Sequence, residues 1–221
     1  MKRLKILLMT ITLVAINLVA VAQNGFGLRG GISLSAWEYI SEDQDAVDAF
    51  NDMKDPLFGG QAFGFYHWEK NHFALQPELG WIQKGVVLGE SDYKIRTNVN
   101  YLELPVLLMG VFGKSNKFTI FAGPSIAYGI TGHWTYIMNG EKNKESIDWN
   151  DDEFARTDFS LHVGTSALIP LRTGRCNVDV RYIYGFTNLS TSDFGDSNDS
   201  FHNSCFAISL GYIWPSKSKE K

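Results

Sequence analysis

Alternation of apolar and polar residues along the chain predicts β-strands. In residues 206–214, large apolar residues occupy the even positions, and the positions between them are mostly small or polar. Residues 178–186 repeat this pattern with charged residues in the second set. A period of two places alternate side chains on opposite faces of a strand. Six further segments favour strands, so the pattern predicts eight strands, although the second is ambiguous and the fifth is apolar on both faces.

The lengths of the seven predicted connections alternate. The long ones lie near 36–56, 88–98, 137–154 and 188–200, and the short ones at 69–71, 113–116 and 171–174. Outer-membrane barrels have short periplasmic turns and long outer loops. The pattern therefore predicts an all-β fold: an eight-stranded antiparallel up-and-down transmembrane β-barrel, integral to the cell outer membrane, with both mature termini in the periplasm. Within the first long connection, residues 41–54 predict a short helix with Ser41 as its N-cap.

The first 22 residues predict a cleaved export signal. Basic residues at positions 2, 3 and 5 precede an apolar run over 6–19, and Ala20-Val21-Ala22 supplies the small residues of a cleavage site. An uncleaved membrane anchor is the alternative. The predicted organisation is a signal peptide over 1–22, a barrel over 23–215 and a short polar tail over 216–221.

The charge of the mature chain argues against a nucleic-acid partner. Removal of the signal leaves 17 of the 20 Lys and Arg residues against 24 Asp and Glu, a net charge of −7. The chain also holds 6 Trp, 9 Tyr and 15 Phe. Rings such as Trp81 and Tyr184 fall near predicted outer strand ends, and Trp68 and Trp214 fall near inner ends. This placement predicts two interfacial girdles, with a carbohydrate-stacking site as the alternative.

Six charged residues share the inward phase of their strands. They are the cations Arg29, Lys84 and Arg181 and the anions Glu78, Glu103 and Asp179. Side chains fill the interior of an eight-stranded barrel, where an unpaired charge would be costly. We therefore predict a structural charge network that plugs the lumen, with Glu103 and Arg181 in contact across the interior. An ion or substrate path is the alternative.

Other candidate chemistry is weak. Seven acidic residues between positions 38 and 55 could hold Ca²⁺ or Mg²⁺, but their spacing matches no ordered calcium loop. His202, Ser204 and Asp199 could suit a lipid-modifying enzyme, but they have no recognisable motif spacing. The sequence thus predicts no catalytic, cofactor-binding or metal site.

The two cysteines predict free thiols. If the last hairpin turns near residue 195, Cys205 lies opposite residue 185, about nine positions from Cys176. At about 3.3 Å per residue, the gap far exceeds the ~7 Å limit between bridged Cα atoms. Cys176 also shares the predicted lipid-facing phase of Val178, whereas Cys205 lies in the opposite phase to Phe206.

Five motifs occur in an order that resembles a known family. They are Gly27-Leu28-Arg29-Gly30-Gly31, Gln76-Pro77-Glu78-Leu79-Gly80-Trp81, Tyr101-Leu102-Glu103-Leu104-Pro105, Ala122-Gly123-Pro124, and Arg181-Tyr182 with Gly185-Phe186-Thr187-Asn188. This order resembles the PorT-like outer-membrane β-barrel family common in Bacteroidetes. The resemblance implies a small outer-membrane barrel, and one member type is implicated in a secretion system that exports proteases. The terminal aromatic Trp214 is followed by a polar tail, so the assembly signal is expected to be internal.

The predicted function is non-enzymatic, with a structural or accessory role linked to protein secretion or to surface interaction. Expected partners are outer-membrane lipid and lipopolysaccharide, the barrel-assembly machinery during insertion, and secretion-system components. A narrow channel for small solutes, a lipid-modifying enzyme and a soluble ligand-binding barrel are the alternatives.

Overall fold

A computed structural model describes residues 24–90, 93–149, 154–190 and 199–216 of the protein. These residues form nine strands and one helix. In chain order they are β1 (Gly25–Ile40), α1 (Gln44–Met53), β2 (Lys54–Lys70), β3 (Phe73–Glu90), β4 (Tyr93–Phe112), β5 (Lys117–Met138), β6 (Glu141–Ser146), β7 (Thr157–Leu171), β8 (Gly174–Gly185) and β9 (Ser200–Pro215). The predicted signal peptide and the end of the predicted tail lie outside the described residues, so those boundaries stay predictions.

Eight strands close into a ring, which confirms the predicted antiparallel up-and-down barrel. Neighbours in sequence pair with one another, except that β5 pairs with β7 because β6 lies outside the ring. The pairing of β1 with β9, from Gly25↔Pro215 to Ile40↔Ser200, joins the two ends of the sheet. Closure leaves the barrel without an unpaired edge, as a membrane-spanning sheet requires.

Side chains alternate across the barrel wall as the sequence predicts. On β4, outward-facing Leu108 is 62% exposed, whereas inward-facing Glu103 is 0% exposed. Apolar outward residues on this strand run from Leu102 to Phe112. That length is about 33 Å along the strand, and a tilt of about 40° reduces it to the ~25 Å height of the apolar band of an outer-membrane barrel.

Three of the predicted long connections contain regular structure. The connection predicted over 88–98 is wrong, because β3 continues to Glu90 and β4 begins at Tyr93. The one predicted over 137–154 contains β6, a strand that the apolar pattern did not reveal. β1 also continues to Ile40, and β2 begins at Lys54. These additions lie above the apolar band, where strands contact water and no longer need apolar residues at every second position.

The predicted helix is present but begins later. Its N-cap is Asp43, whose carboxylate accepts hydrogen bonds from the backbone N–H groups of Asp45 and Ala46. The Ser41 hydroxyl instead accepts a hydrogen bond from the Asp43 N–H at 3.1 Å. Ser41 is therefore not the N-cap. Among the described residues, no helix is long and apolar enough to cross a membrane.

One side of the barrel extends well beyond the opposite side. We call this extension the outer sheet: Val86–Glu90 of β3, Tyr93–Asn100 of β4, Thr131–Met138 of β5, and β6. On the opposite side, β8 ends at Gly185 and β9 begins only at Ser200. The outer rim is therefore asymmetric.

Both cysteines are free, as predicted. Cys176 pairs in register with Tyr212, and Cys205 pairs with Ile183. Cys205 is buried, whereas Cys176 is half-buried. The two thiols thus lie on well-separated rows of the β8–β9 pair.

Candidate functional site: the charged lumen

All six predicted lumen charges are buried. The first group centres on Glu78, which the two arginines approach from different strands. Arg29 donates to Glu78 Oε2 at 2.7 Å, and Arg181 donates to the same oxygen at 3.0 Å. Arg181 also holds Asp179 with two hydrogen bonds, of 2.7 and 2.9 Å. Because β3 and β8 are not neighbours in the ring, the Arg181–Glu78 pair crosses the lumen.

The second group lies nearer the outer end and centres on Lys84. Its Nζ lies 3.3 Å from both Glu103 Oε1 and Asp158 Oδ2. Asp158 also accepts a hydrogen bond from Asn203 at 3.0 Å. The strand register explains why the two carboxylates lie close together. Ala127 on β5 pairs with Glu103 of β4 on one side and with Asp158 of β7 on the other. The Lys84 amine therefore reaches both carboxylates above a side chain too small to block it.

His162 joins the two groups. Its Nε2 lies 3.1 Å from Glu103 Oε1 and 3.0 Å from the Ser125 hydroxyl, while its Nδ1 lies 3.4 Å from Arg181 Nη1. A guanidinium can only donate, so Nδ1 accepts and Nε2 carries the hydrogen that points toward Glu103. The predicted direct contact between Glu103 and Arg181 is therefore wrong, because each instead bonds to His162.

Aromatic rings lie against the buried cations. The guanidinium of Arg29 lies 4.1 Å from the Phe63 ring centroid, and that of Arg181 lies 5.2 Å from Phe121. Lys84 Nζ lies 5.5 Å from the Tyr101 ring. Such contacts offset part of the cost of removing a cation from water.

Apolar layers enclose the charged groups at both ends. Toward the outside, Trp37 packs against Trp134, Phe154 and Phe201, with ring centroids 5.8 to 6.3 Å apart. Phe50 of α1 packs against Phe201 at 5.6 Å and so helps to cover this cluster. Toward the periplasm, two further buried clusters follow. They comprise Ala74, Leu107, Met109, Val111 and Phe121 in one, and Phe65, Leu168 and Ile213 in the other.

A polar group lies at the periplasmic mouth. Glu69 forms ion pairs with Lys117 and with Arg175, the latter at 3.2 Å. His67 Nδ1 bonds to Gln76 Oε1 at 2.8 Å, and Gln76 in turn donates to Glu78 at 2.8 Å. His67 Nε2 also lies 3.5 Å from Glu69 Oε2, so side-chain contacts run from the periplasmic rim to the central charges.

Sequence reasoning missed two members of the lumen network. Asp158 lies at the start of β7, close to a predicted loop, where the strand pattern had barely begun. His162 has the inward phase, but no spacing signal ties it to Glu103 or Arg181. With Asp158 included, the two groups hold three cations and four carboxylates, rather than three of each.

The residues considered for other chemistry do not assemble. His202 Nε2 bonds to Ser200 at 3.0 Å, whereas the Ser204 hydroxyl donates to Glu38 and Asp199 accepts from Tyr39. Among the described residues, no group of three or more His, Cys, Asp and Glu side chains could hold a metal ion. Further acidic residues occur in the predicted long connections near 137–154 and 188–200, and several of them, such as Asp151 and Asp193, lie outside the described ranges.

A closed antiparallel barrel with an apolar outer band and a charged interior defines an integral outer-membrane protein. The family model described as "Outer membrane protein beta-barrel domain" matches residues 21–191. The chain belongs to this family and is integral to the cell outer membrane, which excludes the soluble alternative. No curated protein is found to match it in sequence.

Solved structures of small outer-membrane barrels are similar over most of the chain. Ail, the attachment invasion locus protein of Yersinia pestis, is 13% identical, with 87% of this chain and 99% of Ail covered and a TM-score of 0.43. Neisserial surface protein A is 9% identical, with 86% and 97% covered and a TM-score of 0.42. The N-terminal barrel domain of Pseudomonas aeruginosa OprF is 9% identical, with 88% and 100% covered and a TM-score of 0.34.

Proposed function

We propose that this protein is a non-enzymatic barrel with a plugged lumen, which serves a structural or accessory role and meets its partners at the outer rim. The cross-barrel contact between Arg181 and Glu78 at 3.0 Å carries the proposal. It joins opposite walls at the level where a channel would need open space. Apolar clusters above and below it further restrict the passage of ions.

The convergence of the motif residues supports a PorT-like assignment. Arg29, Glu78, Glu103 and Arg181 each belong to a different motif of that resemblance, yet all four lie in the two charged groups around Glu78 and Lys84. The motifs therefore have a common physical role, which is to supply the charged residues that pair inside the lumen. The proposed partners are lipopolysaccharide, the barrel-assembly machinery during insertion and secretion-system components.

Planar-bilayer recording tests the plug. The purified barrel should give no reproducible conductance steps, whereas an open porin inserted under the same conditions should conduct. In the double variant Arg181→Ser with Glu78→Ser, the cross-barrel contact is replaced by two short side chains, so brief openings are expected. Regular steps from the wild-type protein would reject the plugged barrel in favour of a narrow channel.

Co-purification tests the accessory role. Gentle solubilisation of outer membranes that carry the protein should retain secretion-machinery components on the barrel. Recovery of the assembly machinery alone would reject the link to secretion while leaving the plugged barrel intact.

A further inference from the structure

The two faces of the outer sheet differ in charge. Residues directly opposite one another in an antiparallel pair point to the same face. Thr97 and Trp134 are paired and lie on the face toward the buried aromatic cluster. The neighbouring pair, Arg96 and Thr135, therefore lies on the outward face, which continues the lipid-facing side of the barrel.

Four cations occupy this outward face in two adjacent rows. Thr135 pairs with Arg96 on one side and with Lys144 on the other. Ile137 pairs in the same way with Lys94 and Lys142. Two strand spacings separate the cations within a row by about 10 Å, and the two rows lie about 7 Å apart. We call these four residues the basic face.

Strand β6 separates its charges by sign. Lys142 and Lys144 pair with the outward residues Ile137 and Thr135. Glu141 and Glu145 pair with Met138 and Trp134, and so lie on the opposite face. The cations of this strand therefore point away from its own carboxylates.

The basic face is poorly neutralised. Lys94 lies 3.7 Å from Asp55, with both side chains partly exposed. Within the part of the chain that the structure describes, no carboxylate lies within 4.0 Å of a charged atom of Arg96, Lys142 or Lys144. In a mature chain of predicted net charge −7, this patch stands out as an exposed site for an anion.

The position of the basic face relative to the membrane indicates the kind of anion. Trp81 donates to Asn100 at 3.0 Å, and Asn100 donates to Thr131 at 3.0 Å, so an outward polar ladder lies directly above the apolar band. Arg96 lies four residues beyond Asn100, about 10 Å higher along the membrane normal for a tilt near 40°. Long cationic side chains can reach back toward the interface from there.

We propose that the basic face binds the phosphorylated headgroup of outer-leaflet lipopolysaccharide. This inference rests on the lipopolysaccharide contact proposed above and assigns that contact to Arg96, Lys142 and Lys144, with Lys94 beside them. Phosphate oxygens accept charge-assisted hydrogen bonds from Arg and Lys. Two rows of cations about 7 to 10 Å apart suit a headgroup with more than one anionic group.

Binding of lipopolysaccharide to the intact barrel in detergent tests the proposal. Wild-type protein should bind phosphorylated lipopolysaccharide at least ten times more tightly than the enzymatically dephosphorylated form. The triple variant Arg96→Gln, Lys142→Gln and Lys144→Gln should lose about tenfold in affinity for the phosphorylated form. A rise in salt from 50 to 500 mM should remove most of the difference in affinity between the wild-type protein and the triple variant, because salt screens exposed charges.

A matched control removes three cations at the opposite end. Lys70→Gln, Lys114→Gln and Arg172→Gln change the net charge equally but lie at the periplasmic turns, so affinity should change less than twofold. Heat-modifiable gel mobility verifies that each variant is folded. Equal losses in both triple variants, no loss in the first, or full competition by millimolar inorganic phosphate would overturn the proposal. None of these results bears on conductance, so the plugged barrel is judged separately.

Discussion

The lumen and the basic face meet on β4, where charged residues lie on opposite faces of the same strand. On β4, Glu103 points inward and is fully buried, whereas Arg96 points outward above the membrane. Every described lumen cation has a carboxylate within 3.3 Å. On the basic face, only Lys94 has a described carboxylate within 4.0 Å.

This difference shows how alternation gives one strand two roles. A charge inside the barrel is tolerated only with a partner, because the surroundings screen it poorly. A charge on the outer sheet is stabilised by water and stays available to a ligand. We therefore expect substitutions in the lumen to affect stability strongly and substitutions on the basic face to affect binding.

The largest expected effect comes from Arg181→Met. The substitution leaves Glu78 with only one of its two arginines and removes the ion-pair partner of Asp179. An uncompensated buried charge of this kind costs about 3–5 kcal/mol. Urea denaturation of the barrel in detergent should show this loss in the free energy of unfolding.

Arg172→Met is the matched control for that measurement. Arg172 lies exposed in the turn between β7 and β8, so its loss should leave the denaturation midpoint almost unchanged. If Arg181→Met unfolds like the wild-type protein, water must reach Glu78 and Asp179, and the lumen is not plugged.

A smaller effect should appear in double-mutant cycles that combine Arg181→Met with a substitution of either Glu78 or Glu103. Arg181→Met combined with Glu78→Gln removes a direct ion pair, and the coupling energy should lie toward the top of the ~0.5–3 kcal/mol range for contacting residues. Arg181→Met combined with Glu103→Gln should couple less, because His162 is the one described residue that contacts both side chains. If Arg181 couples more strongly to Glu103 than to Glu78, the direct Glu103–Arg181 contact that the sequence predicts would be supported instead.

Alternation alone was enough to identify six of the inward-facing charges, although it missed Asp158 at the start of β7. Period two is a local property, and Arg29, Glu78 and Arg181 each interrupt strands whose other face is apolar. Which inward charges meet depends on strand register and on the tilt of the strands around the ring, neither of which local sequence encodes. That is why the presence of Glu103 and Arg181 in the lumen could be predicted but their separate partners could not.

The outer sheet was harder to predict for a different reason. Strand β6, Glu-Lys-Asn-Lys-Glu-Ser, has no apolar residue, and all six of its side chains are exposed. Along β6 the two faces differ in the sign of their charges rather than in hydrophobicity. The strand is identified by its pairing with His133–Met138 of β5. A pattern of apolar residues therefore predicts the membrane-spanning parts of the strands but not the parts that extend beyond the membrane.

The smallest expected effect is that of the basic-face triple variant on folding. Arg96, Lys142 and Lys144 are exposed. Surface substitutions away from specific contacts usually change stability very little. The denaturation midpoint of Arg96→Gln, Lys142→Gln and Lys144→Gln in detergent should thus match that of the wild-type protein. A clear fall would mean that these cations stabilise the outer sheet itself, and weaker lipopolysaccharide binding by the same variant would then report a loosened sheet rather than a lost contact.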